Sequence, residues 1–320
     1  MDVDAAVMDD PLRAICSDLG FFTRAHAREA GYDDRAVTRT YRSGRWRRMR
    51  RGYYTFPDIW EPATVEERHL MMCRAVLDSL GDAVALSHAS GCVAHRVELW
   101  GMSLDRVHVT RLDGGAGRVE GDVVHHEGFV GDEEVGEVDG LRVLAPARCV
   151  LEAASTASSE AALVALNSSL HRGVTTIEAI GTQFDLMAHW PRMRHLHVPV
   201  RMATERAESV GESRGLWLFW TEHLPAPVVQ LEVHDGDRFV GRTDWGWPRL
   251  RGLGEFDGKV KYGRLLKDGQ DPGDVVFEEK KREDDLREVT GCWMIRLVWS
   301  DLETRARTAA RLRRLMAAAS

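Results

Sequence analysis

Lysine is scarce in this chain: five of its 43 basic residues are lysine and 38 are arginine, so its cationic surface is built from planar, permanently charged guanidinium groups. Long apolar runs are absent too. None approaches the ~20 residues that cross a bilayer, and the acidic start MDVDAAVMDD lacks the basic and apolar regions of a signal peptide, so no membrane is expected and a cytoplasmic setting is. The five cysteines, Cys16, Cys73, Cys92, Cys149 and Cys292, are odd in number, far apart and without a C-x-x-C pair. That spacing speaks against a disulfide framework and a zinc site alike and predicts buried, reduced thiols. Internal repeats, low-complexity tracts, a P-loop, a Ser-His-Asp arrangement and a dinucleotide fingerprint are also missing; Gly114-Gly115-x-Gly117 reads as a hairpin turn. With 320 residues, 44% apolar and 29% charged, the chain is an ordinary globular sequence, long enough for two or three domains.

Charge is distributed unevenly. The net charge is −7, and residues 55–200 carry 21 acidic against 11 basic groups, yet residues 21–54 carry ten arginines against Glu29, Asp33 and Asp34. A local excess of that size is the footprint of a segment that binds a polyanion. Its grammar agrees. Thr23 can cap a helix RAHAREAG closed by Gly31, and a turn at Tyr32-Asp33-Asp34 leads to a second helix, RAVTRTYRSG, closed by Gly44. RWRRMRRGYYTF then alternates Trp46, basic residues and Tyr53/Tyr54 around Gly52, as the strands and tip of a wing would. In that plan the second helix presents Arg35, Thr38, Arg39 and Arg42 to the major groove, while Arg45, Arg47, Arg48, Arg50 and Arg51 hold phosphates. The segment resembles the N-terminal winged helix of AbiEi-type antitoxins, with the cadence "helix, Gly-Arg-Trp, basic wing, Gly-Tyr-Tyr". The rival reading is an arginine-rich face on a small helical cap.

The middle of the chain carries less chemistry. GDAVALSHASGCVAHRVELWG reads as a helix after Ser87; VHVT and VVHHEGFV are strands separated by a turn at Asp113-Gly114-Gly115. LRVLAPARCVLEAAS runs strand into helix, and SSEAALVALNSSLHRG makes a helix ended by Gly173. The phrases SHASG and PARCVLEAA resemble the scaffold that follows the winged helix in antitoxin-like proteins. His125 and His126, adjacent on a strand, point to opposite faces and cannot readily share an ion; His88 and His95, two helical turns apart, read as packing or capping groups.

The most informative stretch is RTDWGWPRLRGLGEFDGKVKY, residues 242–262. It puts Asp244 at the end of one strand and Glu255 and Asp257 on the next, with Lys259 and Lys261 beyond; side chains two apart on a strand share a face about 6.6 Å apart. Converging carboxylates need a cation or lysines to offset their repulsion. Ahead of them, a predicted helix carries Glu208 and Glu212 one turn apart, and VVQLEVHD turns at Asp235-Gly236-Asp237 into RFVGRTDW. A charged helix, EEKKREDDLREVTG, and an apolar strand, CWMIRLVW, follow. The charged helix, with Glu279, Lys280, Arg282, Asp284 and Arg287, reads as a solvated face. Helix, three strands, helix, strand over roughly Glu205 to Leu302 resembles the PD-(D/E)XK nuclease superfamily, particularly its Vsr-like and restriction-endonuclease-like members.

That resemblance implies a Mg²⁺ site, with Mn²⁺ as a substitute, on Asp244, Glu255 and Asp257, supported by Glu212, and a lysine that orients the attacking water. The lysine register stays open: if Glu255 is the motif's acid, Asp257 occupies the lysine position, and if Asp257 is the acid, Lys259 fits but lies beyond Gly258. The expected fold class is a multidomain α+β or α/β protein: a winged helix-turn-helix over 1–56, a mixed α/β scaffold over 57–200, and an αβββαβ nuclease-like core over 201–320. Two functions remain. One is a Mg²⁺-dependent DNA endonuclease in phage defence or repair. The other is an AbiEi-type antitoxin and transcriptional regulator whose nuclease-like domain is inactive and binds a partner protein or a second copy. An RNA-directed protein is a weaker third.

Overall fold

The computed structural model of the chain describes residues 3–258 and 286–318. Its residues fall into two compact units, one of 1–157 and 178–193, the other of 158–177 and 194–320. The protein is thus of mixed α/β type, with three separate sheets.

The first unit opens with α1 (Val3–Leu19), β1 (Phe22–Thr23), α2 (Arg24–Glu29), α3 (Asp34–Arg42), β2 (Arg47–Arg50) and β3 (Tyr53–Thr55). The strands make an antiparallel sheet in the order β1-β3-β2. Local chemistry sets the helix starts. The Thr23 hydroxyl accepts from His26 N at 3.2 Å while His26 Nδ1 receives Thr23 N, and Asp33 Oδ1 accepts from Ala36 N at 2.6 Å. Trp46, 1% exposed, anchors the core between Phe22 and Tyr32, with ring centroids 4.8 and 4.6 Å away. With Trp46 fixed inward, Arg47 and Arg48 face solvent.

There follow α4 (Pro57–Trp60), α5 (Val65–Leu80), β4 (Val84–Leu86), α6 (His88–Ala94), β5 (Val107–Arg111), β6 (Arg118–Glu120), β7 (Val123–His126), β8 (Val135–Val138), β9 (Leu141–Leu144) and α7 (Pro146–Ser155). Their sheet has the order β6-β7-β5-β4-β9-β8. The two strands expected to be separated by a simple turn are instead parallel neighbours, because β6 intervenes and forms the antiparallel hairpin with β7. A Cβ on Gly91 would lie 2.3 Å from Cys149 Sγ, so α6 and α7 meet at a position that only glycine permits. Helix α8 (Ser159–His171) belongs to the second unit, and α9 (Ile177–Leu186) returns to the first from residue 178.

The second unit adds α10 (His197–Met202), α11 (Val210–Thr221), β10 (Val228–Asp235), β11 (Arg238–Trp247), β12 (Gly252–Phe256), α12 (286–290), β13 (Trp293–Leu297), α13 (Trp299–Glu303) and α14 (Arg305–Ala318). The sheet runs β10-β11-β12-β13; the first three strands are antiparallel, and β13 joins β12 in parallel. Gly236 turns the β10–β11 hairpin with φ +60°. Helix α11 starts at Val210, two residues later than the expected pairing of Glu208 with Glu212 requires. Ser209 caps it by accepting from Glu212 N at 3.2 Å, leaving Glu208 ahead of the helix.

Two glycines one turn apart let α11 lie against the sheet. A Cβ at Gly215 would be 2.2 Å from Trp245 Cζ2, and one at Gly211 would be 2.0 Å from Phe256 Cε1. Trp245 itself is fully buried, with Phe219 edge-on at 5.1 Å. Beside them Arg214, 2% exposed, donates to Glu160 at 2.9 Å and Glu303 at 2.8 Å, and Arg305 shares Glu160. Gly215→Ala should therefore destabilise this unit by about 1–3 kcal/mol through overpacking. Urea denaturation followed by the near-ultraviolet circular dichroism of its tryptophans measures the loss; an unchanged midpoint would mean that the contact between α11 and Trp245 does not constrain the fold.

Candidate nucleic-acid interface and acidic site

Helix α3 and strand β2 present the arginines of the first unit. Arg35, Arg39 and Arg42 are exposed along α3, Thr38 is half-buried with its hydroxyl donating to Asp34 O at 2.9 Å, and Arg47, Arg48 and Arg51 are exposed on β2 and its turn. Arg47 stacks over Trp60 at 5.0 Å and Arg48 over Tyr41 at 6.0 Å, which limits the freedom these side chains would lose on contact with a ligand. Arg45 is half-buried. Arg50 differs from its neighbours. Its Nε lies 3.3 Å from Asp122 Oδ2 and its guanidinium packs over Tyr53, so its charge is already engaged within the unit. Arg24 and Arg28 are likewise tied to Asp34, at 3.0 and 2.8 Å.

In the second unit the expected acids lie on neighbouring elements, but among the described residues no three of Glu212, Asp244, Glu255 and Asp257 form a group close enough to hold one metal ion. Trp245 pairs with Gly254 and Gly246 with Leu253. Extended by one residue, that register would set Asp244 opposite Glu255. Asp244 Oδ2 accepts from Phe256 N at 2.7 Å, and its Oδ1 lies 3.5 Å from Gln230 Nε2, which donates at 2.8 Å to Glu212 Oε2. Glu212, 6% exposed, also accepts from Glu208 N at 3.0 Å and Ser209 Oγ at 2.7 Å. Helix α11 thus delivers Glu212 to Asp244 through Gln230, a bridging residue that no acid-and-lysine motif would single out. Glu255 is 7% exposed, and the parallel partner strand sets Arg296 beside it: Arg296 is 3.6 Å from Glu255 Oε2 and 3.9 Å from Asp257 Oδ2. A cleft lined by Arg206, Glu208, Gln230, Glu232 and Arg242 borders the same sheet edge. Lys259 and Lys261 lie outside the described residues, as do Glu279, Lys280, Arg282 and Asp284 of the charged helix.

Burial, and then the charge of Asp244, raise the pKa of Glu212, while its hydrogen bonds from Glu208, Ser209 and Gln230 work against the rise. A carboxyl that holds its proton more tightly folded than unfolded contributes stability below its unfolded pKa and loses it as pH rises through the folded one.

A third cluster escaped the sequence pattern. Among the described residues, His88, His108 and His126 form a group whose ligand nitrogens all lie within 4.8 Å of one another. His126 is on β7 opposite Thr110, so it shares a face with His108, two residues along β5; His88 begins α6 at the end of β4, the other neighbour of β5. His125 faces away, as alternation requires. Burial, with the His88 imidazole adding to it, pushes His108 down to about 4 and His126 down to about 3. The signal was long-range: three histidines on three segments, legible only once β5 and β7 are known to be parallel neighbours. His95, by contrast, makes a 2.8 Å contact with Leu144 O at the end of α6.

Residues 12–57 match the family described as transcriptional regulator, AbiEi antitoxin. The matched stretch runs from α1 to the start of α4 and contains every arginine-bearing element above. Among solved structures, the RV2827C protein from Mycobacterium tuberculosis is similar at 14% identity and a TM-score of 0.39, over 73% of this chain and 87% of that one. No curated protein matches the chain. Among the described residues no helix is long and apolar enough to cross a membrane.

The coupling between the two buried acids is open to measurement. Asp244→Asn should lower the pKa of Glu212 toward the ordinary carboxyl range without restoring it fully, since burial persists. Carbon-detected NMR titration of the glutamate carboxyls reads the shift; an unmoved Glu212 would mean that Asp244 exerts no field there.

Proposed function

We propose that the chain is a DNA-binding transcriptional regulator of the AbiEi antitoxin kind, docking on duplex DNA through a winged helix. The supporting observation is that the segment matching that family coincides with the exposed arginines of α3 and β2. In this reading Arg35, Thr38, Arg39 and Arg42 face the major groove from α3, and Arg47, Arg48 and Arg51 contact phosphates from the wing. Arg45 adds to the same field. Arg50 braces the wing through Asp122 rather than reaching the ligand. The order helix, strand, helix, helix and two-stranded wing supports the assignment.

The second unit supports a nuclease-like reading of its acidic site. The observation in its favour is that Asp244 and Glu255 lie on the paired strands β11 and β12, with Gln230 between Asp244 and buried Glu212. An all-oxygen donor set suits a hard cation such as Mg²⁺ or Mn²⁺, which would supply an activated water for phosphodiester hydrolysis; Asp244, Glu255 and Asp257 would have to move together to hold it, since they do not form a ligand group as they stand. The remaining chemistry belongs to the side chains. Gln230 fixes the spacing of Glu212 and Asp244, and Arg296 offsets the charge of Glu255 and Asp257, a position from which it would also neutralise a phosphate. Because the family match falls on the arginine-bearing segment, the regulator with a binding or dimerising nuclease-like unit is the preferred reading.

Two measurements decide between these. Duplex binding by fluorescence anisotropy should weaken steeply with salt, with a log–log slope of about −0.9 per neutralised phosphate. Reversing Arg47, Arg48 and Arg51 to Glu should flatten that slope, whereas Arg50→Ala should leave it within about one unit and act mainly on stability. A slope unmoved by the triple reversal would remove the winged-helix assignment. Incubation of duplex, single-stranded and mismatched DNA, and of RNA, with Mg²⁺ or Mn²⁺ and with EDTA then tests catalysis. Metal-dependent cutting abolished by Asp244→Ala and Glu255→Ala would make the chain a nuclease, with Lys259→Ala and Lys261→Ala resolving which lysine serves it; no cutting beside intact promoter binding is the outcome expected here.

A further inference from the structure

The histidine cluster of the first unit lies outside both the arginine face and the acidic site. Its arrangement is specific. His108 Nδ1 is 2.9 Å from His126 Nε2, and the His88 ring stacks on His126 with centroids 3.6 Å apart and planes 14° from parallel. Nδ1 of His88 lies 3.1 Å from Ser87 Oγ and 3.2 Å from Oε2 of Glu152, which is 3% exposed. That oxygen is buried and accepts no hydrogen bond of ordinary geometry, while the other carboxylate oxygen receives Arg148 Nε at 2.9 Å. His88 also has φ +50°, the left-handed region that side chains rarely adopt, at the first residue of α6. Backbone in that region is costly and is retained where the surroundings fix a side chain for a purpose.

We propose that His88, His108 and His126 form a binding site for a divalent transition ion of the zinc class, with Glu152 orienting His88 from behind. Three imidazoles are a donor set that zinc takes readily, at about 2.0–2.1 Å per nitrogen. A carboxylate that holds the other ring nitrogen of a ligating histidine is the usual supporting contact. Glu152 is placed to do this at Nδ1, leaving Nε2 of His88 for the ion, and Arg148 holds the carboxylate in turn. Arg148 is itself fixed by Glu134 at 2.7 Å and Phe129 O at 3.0 Å, so the support is continuous and buried. The Ser90 hydroxyl accepts from His108 N at 2.8 Å, fixing the backbone under the second ligand. Binding requires the 2.9 Å contact between His108 and His126 to open to about 3.3 Å, the separation set by tetrahedral zinc bonds, and the His88–His126 stack to tilt. The ion would then join β5, β7 and the start of α6.

The full-length protein, stripped with EDTA and dialysed, should take up one equivalent of Zn²⁺ against a chromophoric chelator and one of Co²⁺ with the ligand-field absorption of a low-coordinate site. Zn²⁺ should also raise the melting temperature, as any ligand of the folded state does. His108→Ala and His126→Ala should each abolish stoichiometric uptake, Glu152→Gln should weaken it about 10–100-fold, and His125→Ala, on the opposite face, should leave it unchanged. X-ray absorption of the zinc-loaded wild type guards against variants that fail to fold: it should show at least three imidazoles on the metal. No uptake by the folded wild type, fewer than three imidazoles, or uptake that survives in the His108→Ala/His126→Ala double variant would overturn the proposal.

Discussion

The architecture of the second unit depends on how closely one helix can approach one sheet. Gly211 and Gly215 remove the side chains that would otherwise hold α11 away from Trp245 and Phe256, and both contacts are tighter than any Cβ tolerates. Trp245 and Phe256 lie immediately next to Asp244 and Glu255, so the approach that packs the core also sets the spacing of the acids. Glu212, between the two glycines, is carried toward the sheet and reaches Asp244 through Gln230. Next to it Arg214 turns into a buried pair with Glu160. Such a pair adds little net stability, since desolvation offsets attraction, but its loss would take from the buried Glu160 carboxylate one of the guanidinium groups that meet it, leaving Arg305 to offset its charge. The helix is held in one rotational setting as a result, and that setting aims Glu212.

The first unit solves a related problem with strand pairing. A parallel pair of strands sets residues of like parity on one face over a long sequence separation, which is how His108 and His126 meet while His125 turns away. The polar chain from Arg148 through Glu152 to His88 runs into that face from α7 and α6, whose close approach depends on Gly91. Buried polar groups are expensive unless each finds a partner. Here nearly every member has one, and the exception, Oε2 of Glu152, is aimed at His88.

Much of this was legible in the sequence wherever the signal was local. Thr23 and Asp33 as caps, Gly236 as the hairpin turn, and the strand-to-helix passage at Pro146 follow from chemistry confined to a few residues. The antiparallel pairing of the strands that carry Asp244 and Glu255 was legible too, because a short connection between adjacent strands fixes which residues oppose. What sequence could not supply was long-range. Gln230 joins the acids only through tertiary contact, Arg296 arrives on a parallel strand 41 residues beyond Glu255, and Arg50, one arginine among ten, is diverted to Asp122. The start of α11 was a local error: Ser209 and Glu212 carry the capping-box spacing, and it outweighs the helical pairing of Glu208 with Glu212.

The net charge of −7 does not weigh against the DNA binding proposed above, because local charge governs contact. At physiological ionic strength, exposed charges are screened over about 8 Å, so a phosphate approaching α3 and β2 would respond chiefly to charges within that range, the exposed arginines among them. The choice of arginine sharpens this. Guanidinium groups already stacked on Trp60 and Tyr41 are partly ordered before any ligand arrives, and each can meet a phosphate with two parallel hydrogen bonds. Lysines of the same charge on α3 and β2 would attract a polyanion equally at long range but would offer weaker geometry at contact. The few acids inside the segment fit the same logic: Asp34 is spent on Arg24 and Arg28, and Asp33 on capping α3, so the groups left facing outward along α3 and β2 are predominantly cationic.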